Sequence, residues 1–187
     1  LGNSLKNSGR ATEATEAFRE AVKLLPNNAD LWSNYLFGIL YDENATEAGI
    51  GREAARFGEY WEPKIKPVDH SARLKAGMPD KLRVGFVSAD IRSHPVAYFC
   101  EPLFEHLDRE KFEIYIYDNY LTEDLVTKRF KNFADKWQNI YALKDHEFVK
   151  LVTKDKIDIL VDMSGHTARN RLLAFAHKPA PVQVSWL

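Results

Sequence analysis

Residues Ile157 to Thr167 read Ile-Asp-Ile-Leu-Val-Asp-Met-Ser-Gly-His-Thr, and the fold is decided there. The stretch opens with Ile157, Ile159, Leu160 and Val161, a density of branched apolar residues that fits a strand buried on both faces. It then breaks into Asp162, Ser164, Gly165, His166 and Thr167. A buried strand does not run through so many polar groups, so the break marks its carboxyl end. In open parallel sheets that end is where ligands bind.

Working outward, Leu82 to Val87 reads as a second buried strand, ending in Ser88, Ala89 and Asp90. Val96 to Leu107 is helical in pattern, with Phe99, Leu103, Phe104 and Leu107 on one stripe. Phe112 to Tyr117 and a weaker Trp137 to Tyr141 follow as strands, and Glu123 to Phe133 and His146 to Thr153 as helices. After the opening stretch come a helix over Ala168 to His177 and a strand over Val182 to Trp186. Alternation of this kind predicts an α/β lobe, a doubly wound, Rossmann-like parallel sheet with helices on both faces.

The commonest order for such a sheet, 3-2-1-4-5, makes the first and fourth strands neighbours across the switch point. Two loops would then face each other: Ser88 to Pro95, carrying Asp90 and His94, and Asp162 to Thr167, carrying His166. The first turn has neither G-x-G-x-x-G nor a P-loop, so the lobe needs no nucleotide of its own. Asp90, His94 and His166 lack the local spacing of metal ligands, and no metal site is expected.

Composition narrows the class. A net charge of -1 gives no electrostatic reason to expect nucleic acid or an anionic membrane as partner. No apolar run approaches the roughly 18 residues of a membrane span. The single cysteine, Cys100, excludes an internal disulfide and suits a reducing cytoplasm; a buried apolar filler is its expected role.

Residues 1–60 follow a different period. Gly2, Leu5, Ala14, Phe18, Ala21 and Pro26 stand at the spacings of the tetratricopeptide signature, with Leu5 replacing its aromatic. Ala14, Ala17, Phe18, Ala21, Val22 and Leu25 give one apolar helical face, and Pro26 stops the helix. About 34 residues on, the match decays to Trp32, Ala48 and Ala55, with Asp30 expected to cap a helix starting at Leu31. This predicts one repeat lacking its front and a degenerate closing pair. Residues 61–81, with Pro63, Pro67 and Pro79, read as a linker laid against the next domain by Trp61 and Ile65; residues 82–187 are the lobe.

Three segments, RVGFVSADIRSHPVAYF from Arg83, DILVDMSGHTARNRL from Asp158 and KPAPVQVSWL from Lys178, resemble the protein O-GlcNAc transferase and SPINDLY family. The repeat in front matches that family's domain order. The resemblance implies a GT-B glycosyltransferase, two Rossmann-like lobes across a cleft. Such an enzyme moves a sugar from a nucleotide donor to Ser or Thr of proteins, with inversion and without metal. It needs no cofactor, UDP-GlcNAc being a substrate, and its repeats present the acceptor proteins. The chain resembles the first lobe only, a fragment whose second lobe is absent and which would be inactive alone.

By the same resemblance His94 matches a histidine facing donor and acceptor, and is the expected catalytic residue, as base or as hydrogen-bond donor. His166 and Thr167 are expected at the sugar pocket, with Asp90 and Asp162 as further substrate-binding candidates. For both aspartates the alternative is a loop cap. Asp158 stands where some relatives carry His and SPINDLY-like ones Asp, which keeps protein O-fucosylation open. A non-catalytic repeat scaffold is the reading from another class.

Overall fold

The computed structural model describes residues 1–186; Leu187, the last residue of the expected lobe, lies outside the described residues. The chain divides into two compact units: Leu1–Ile65 together with His166–Ala168, and Lys66–Gly165 together with Arg169 onward.

The first unit is built of four helices: α1 (Gly2–Asn7), α2 (Ala11–Leu24), α3 (Ala29–Gly38) and α4 (Glu47–Trp61). Its core gathers Leu5, Ala14, Phe18, Val22, Trp32, Tyr35, Leu36 and Ile39. Phe18 explains the glycines beside it. A Cβ at Gly2 would come within 2.5 Å of the Phe18 ring and one at Gly38 within 3.1 Å, so both helices approach where only hydrogen fits. Two expectations change. The N-cap of α3 is Asn28, whose side chain accepts from the Asp30 and Leu31 N–H groups at 3.0 and 3.2 Å. The helix therefore starts before Leu31, and Asp30 lies in its first turn. Leu25, expected on the apolar face of α2, sits one residue past the helix and is exposed.

The proline-rich segment contains more order than a linker. Trp61 closes α4, Glu62–Lys64 forms a 3₁₀ turn, and Ser71–Lys75 is a short helix, α5. Trp61 packs into the helical core and Ile65 groups with the helical unit. Val68, which the sequence reading passed over, packs against the sheet, and its N–H donates to the His177 carbonyl at 2.8 Å.

The second unit holds five parallel strands: β1 (Leu82–Ser88), β2 (Phe112–Asp118), β3 (Lys136–Asn139), β4 (Ile159–Asp162) and β5 (Val182–Ser185). Their order is β3-β2-β1-β4-β5, the doubly wound arrangement expected. Helices α6 (Pro95–His106), α7 (Leu125–Lys131), α8 (Asp145–Asp155) and α9 (Leu172–Ala176) alternate with them. Side-chain alternation along β1 assigns the two faces. Val84 and Phe86 enter one core with Ile114, Ile116, Val161, Phe104 and Phe130. Val87 enters the other with Tyr117, Leu160, Phe148 and Phe175. At Gly85, between them, a Cβ would meet Tyr117 at 2.9 Å and Leu160 at 3.0 Å.

Helix α6 is turned differently from its expected stripe. Ala97, Cys100 and Phe104 are buried, while Phe99 is 69% and Leu103 36% exposed. The small Ala97 and Cys100 admit the helix close to the sheet, and the large apolar residues between them are left outside. Cys100 is fully buried, and burial pushes its thiol up to about 12.

Candidate active site

The central pair β1 and β4 runs in register from Val84↔Ile159 to Val87↔Asp162. Both strands therefore stop at the same level, and the turns that follow emerge side by side from the sheet's carboxyl edge.

The turn after β1 is tightly made. The Ser88 hydroxyl accepts from the Asp90 N–H at 2.9 Å, and Ser88, Ala89, Asp90 and Ile91 are all buried. The far side is pinned by α7. Its N-cap Asp124 accepts from the Ser93 N–H at 2.6 Å, and the Thr127 hydroxyl donates to the Ile91 carbonyl at 2.9 Å. Asp90 thus projects from a fixed backbone. Its Oδ1 takes the Arg92 guanidinium at 3.0 Å and lies 3.8 Å from His94 Nε2.

His94 is the N-cap of α6, with Pro95 supplying the first helical residue. Its Nδ1 accepts from the Val96 N–H at 3.3 Å, which is where a Ser or Asp oxygen would ordinarily serve. That bond occupies the Nδ1 lone pair and assigns the ring proton to Nε2, on the side of Asp90. A neutral imidazole held this way offers a hydrogen-bond donor. It can accept a proton only by giving up its cap.

Asp162 serves its own turn. One oxygen accepts from the Ser164 N–H at 3.1 Å; the other accepts from the Gly165 N–H at 3.0 Å and the Ser185 hydroxyl at 3.3 Å. Burial raises its pKa, and those bonds oppose the rise. The loop-cap alternative describes this residue. Gly165 adopts a φ of 52°, the left-handed conformation that lets the turn close.

His166 and Thr167 group with the helical unit instead of the sheet unit that holds His94. The His166 ring stacks edge-on to Phe57 at 5.2 Å, and its Nδ1 lies 3.3 Å from the Ser33 hydroxyl. Burial lowers its pKa, so it is held neutral.

Asp158 lies before β4, at the amino end of the strand and the opposite end from the turn. It pairs with Arg73 at 2.7 Å and accepts from the Arg83 N–H at 2.9 Å, a clamp between α5, β1 and β4.

The carboxyl edge carries further residues that the sequence reading missed. Asn119, just past β2, donates from Nδ2 to the Arg169 carbonyl at 2.6 Å. Arg171 donates to Asp145 at 2.9 Å, to Asn119 Oδ1 at 3.0 Å and to the Ile140 carbonyl at 2.8 Å, binding the ends of β2 and β3 to the segment after β4. The signal that could have found Asn119 is the strand-end rule itself, applied to all strands and not to two alone. Gln183 donates to the Phe175 carbonyl at 3.0 Å. Among the described residues no three His, Cys, Asp or Glu side chains gather as metal ligands, and no helix is long and apolar enough to cross a membrane.

A five-stranded lobe whose central strands end together in a buried acidic turn and a histidine-capped helix defines a Rossmann-like ligand-binding class, and the comparisons place it. Residues 63–187 match the model of glycosyl transferase family 41, and the chain belongs to that family. Among its relatives is the SPINDLY protein of Oryza sativa subsp. japonica, named for a UDP-N-acetylglucosamine–peptide N-acetylglucosaminyltransferase activity. It is 30% identical over 176 residues, which are 92% of this chain and 19% of that protein. The SPINDLY protein of Hordeum vulgare is 40% identical over 110 residues, 57% of this chain and 12% of the relative. A solved mutant of the Thermobaculum terrenum O-GlcNAc transferase superposes with a TM-score of 0.87 at 35% identity, covering all of this chain and 36% of that one. The chain thus spans about a fifth of the rice protein's length and about a third of the solved chain's.

Proposed function

We propose that the protein of which this chain forms part transfers N-acetylglucosamine from UDP-GlcNAc to Ser or Thr hydroxyls of proteins. In this reading the sheet unit is the first lobe of a GT-B enzyme, the helical unit is a tetratricopeptide module that presents acceptor proteins, and the reaction runs with inversion, without a metal or a resident cofactor, in the cytoplasm. Support comes from the family, from the donor and acceptor named for its relatives, and above all from the Asp90–His94 turn. That turn is held by the Ser88 and Asp124 bonds, sits at the switch point and sets a ring N–H beside Asp90 at the sheet's carboxyl edge.

The chemistry this chain can supply follows from His94. As the acceptor oxygen attacks the anomeric carbon, the sugar–phosphate C–O bond breaks and negative charge builds on the departing diphosphate. An Nε2–H held by its cap donates to an oxygen of the sugar or the phosphate as that charge develops, a preorganised contact that strengthens in the transition state. Asp90, beside Nε2 and already shared with Arg92, orients the ring; in this reading it is a positioning residue. His166, Thr167 and Asp162 have no step assigned to them in this reading.

The test is His94→Ala and His94→Gln in the full-length protein, with radiolabelled UDP-GlcNAc and an acceptor protein. Loss of a donated contact lowers kcat by about 100-fold. Gln recovers part of it if hydrogen bonding is the role. Undiminished transfer by both variants removes His94 from the mechanism. Labelling from GDP-fucose and not from UDP-GlcNAc redirects the donor, and labelling from neither leaves the non-catalytic scaffold.

A further inference from the structure

The carboxyl edge of the sheet holds three arginines, and one is set apart from the other two. Arg92 has Asp90 at 3.0 Å and Arg171 has Asp145 at 2.9 Å. Arg169 is exposed, and no carboxylate among the described residues lies within ion-pair distance of it. Its guanidinium carbon instead lies 4.9 Å from the ring centre of Tyr120 and 5.9 Å from that of Tyr141. Tyr120, the residue after Asn119, also takes Arg92 at 4.5 Å.

The backbone beneath Arg169 is unusual as well. Its φ is 61°, the left-handed conformation that a long side chain adopts at a cost. The conformation is imposed from outside: Asn119 donates to the Arg169 carbonyl, and Arg171 in turn fixes the Asn119 amide. A strained residue, an aromatic mount and an unneutralised cation coincide at the end of the sheet where the Asp90–His94 turn also emerges.

We propose that Arg169 is a preformed recognition point for a single carboxylate, that of an acidic residue in the acceptor polypeptide. Tyr120 and Tyr141 hold the guanidinium from their rings, and the N–H fork of a guanidinium matches the two oxygens of a carboxylate. Charge selects the ligand. Arg92 and Arg171 are each taken by a carboxylate, and the lone guanidinium of Arg169, near the acidic ends of β2 and β4, suits a monoanion better than a diphosphate. That the carboxylate belongs to an acceptor polypeptide rests on the function proposed above; carboxylate binding at Arg169 does not.

The experiment follows the arginine Nε–Hε signals by ¹⁵N NMR in the 187-residue chain. The chain is titrated with N-acetylglutamic acid amide, its uncharged N-acetylglutamine counterpart, and inorganic pyrophosphate. The Arg169 signal is identified by its absence from Arg169→Gly, a variant that accepts the positive φ and so stays folded. A saturable shift of the Arg169 signal with the glutamate compound and none with the glutamine compound are expected. No saturable shift, a shift of the Arg92 or Arg171 signals that survives in Arg169→Gly, or saturation by pyrophosphate at lower concentration than by the carboxylate overturns the proposal. No sugar is transferred in this measurement. A negative result leaves the proposed function standing, and failure of the His94 test leaves carboxylate binding at Arg169 standing.

Discussion

At the scale of single residues, the chain was legible where one side chain has one physical reason to be there. Phe18 was marked by the small residues around it, and Cys100 by its isolation in an apolar helix; both are buried as expected. His94 was marked by its place after a strand, and the structure makes it the N-cap of α6. Arg169 was not legible, because its distinguishing features are a backbone angle and two rings far away in sequence. Gly85 gives the sharpest test at this scale. Because its absent Cβ would press on Tyr117 and Leu160 in a close-packed core, Gly85→Ala should destabilise the sheet unit by about 1–3 kcal/mol. Urea unfolding followed by tryptophan fluorescence measures it, and a change below the error of that method would show that the core can give way.

At the scale of elements, the parallel sheet was readable because each buried strand is a short branched run with a polar stop. Helix α6 was misread because it is apolar nearly all round. Periodicity offers two candidate faces, and only packing picks Ala97 and Cys100 over Phe99 and Leu103. The proline-rich joint was misread for the opposite reason: Val68 anchors it by one backbone bond and one buried side chain, which leave no period to detect. The end of β2 carries a titration that can be tested. Burial raises the Asp118 carboxyl to about 6 against an ordinary 3.8, with Asn139 and the Tyr120 N–H pulling the other way. The folded chain therefore keeps a proton that the unfolded chain releases. This residue's contribution to stability falls as pH rises from about 4 to about 6 and stays low above that. Asp118→Asn should gain stability relative to the parent across that window and hold the gain at pH 7. Urea midpoints at pH 4, 5, 6 and 7 check it, and a difference independent of pH contradicts the assignment.

At the scale of the whole molecule, two architectures with different periods share one chain, and each announced itself by its own period. What periodicity could not reveal is that His166–Ala168, written in sequence between β4 and α9, groups with the helices of the first unit. The family motifs in which His166 sits mark the residue as special without saying which surroundings it serves. Its contacts with Phe57 and Ser33 come from residues more than a hundred positions earlier, a separation no local pattern spans.

The placement of β1 between β2 and β4 also sets an order of assembly. Arg83 on β1 reaches its β2 partner Glu113 across 30 residues of chain, but meets Asp158, at the start of β4, only across 75. Closing the longer loop forfeits more chain entropy and waits on more of the polypeptide. Pulsed hydrogen exchange during refolding should protect the amides of Tyr115 and Tyr117, which face β1 from β2, before those of Ile159 and Val161, which face β1 from β4. Until the later pairing forms, the Leu160 segment is an unpaired apolar strand, and the fraction of chains lost to aggregates should rise with concentration during that interval.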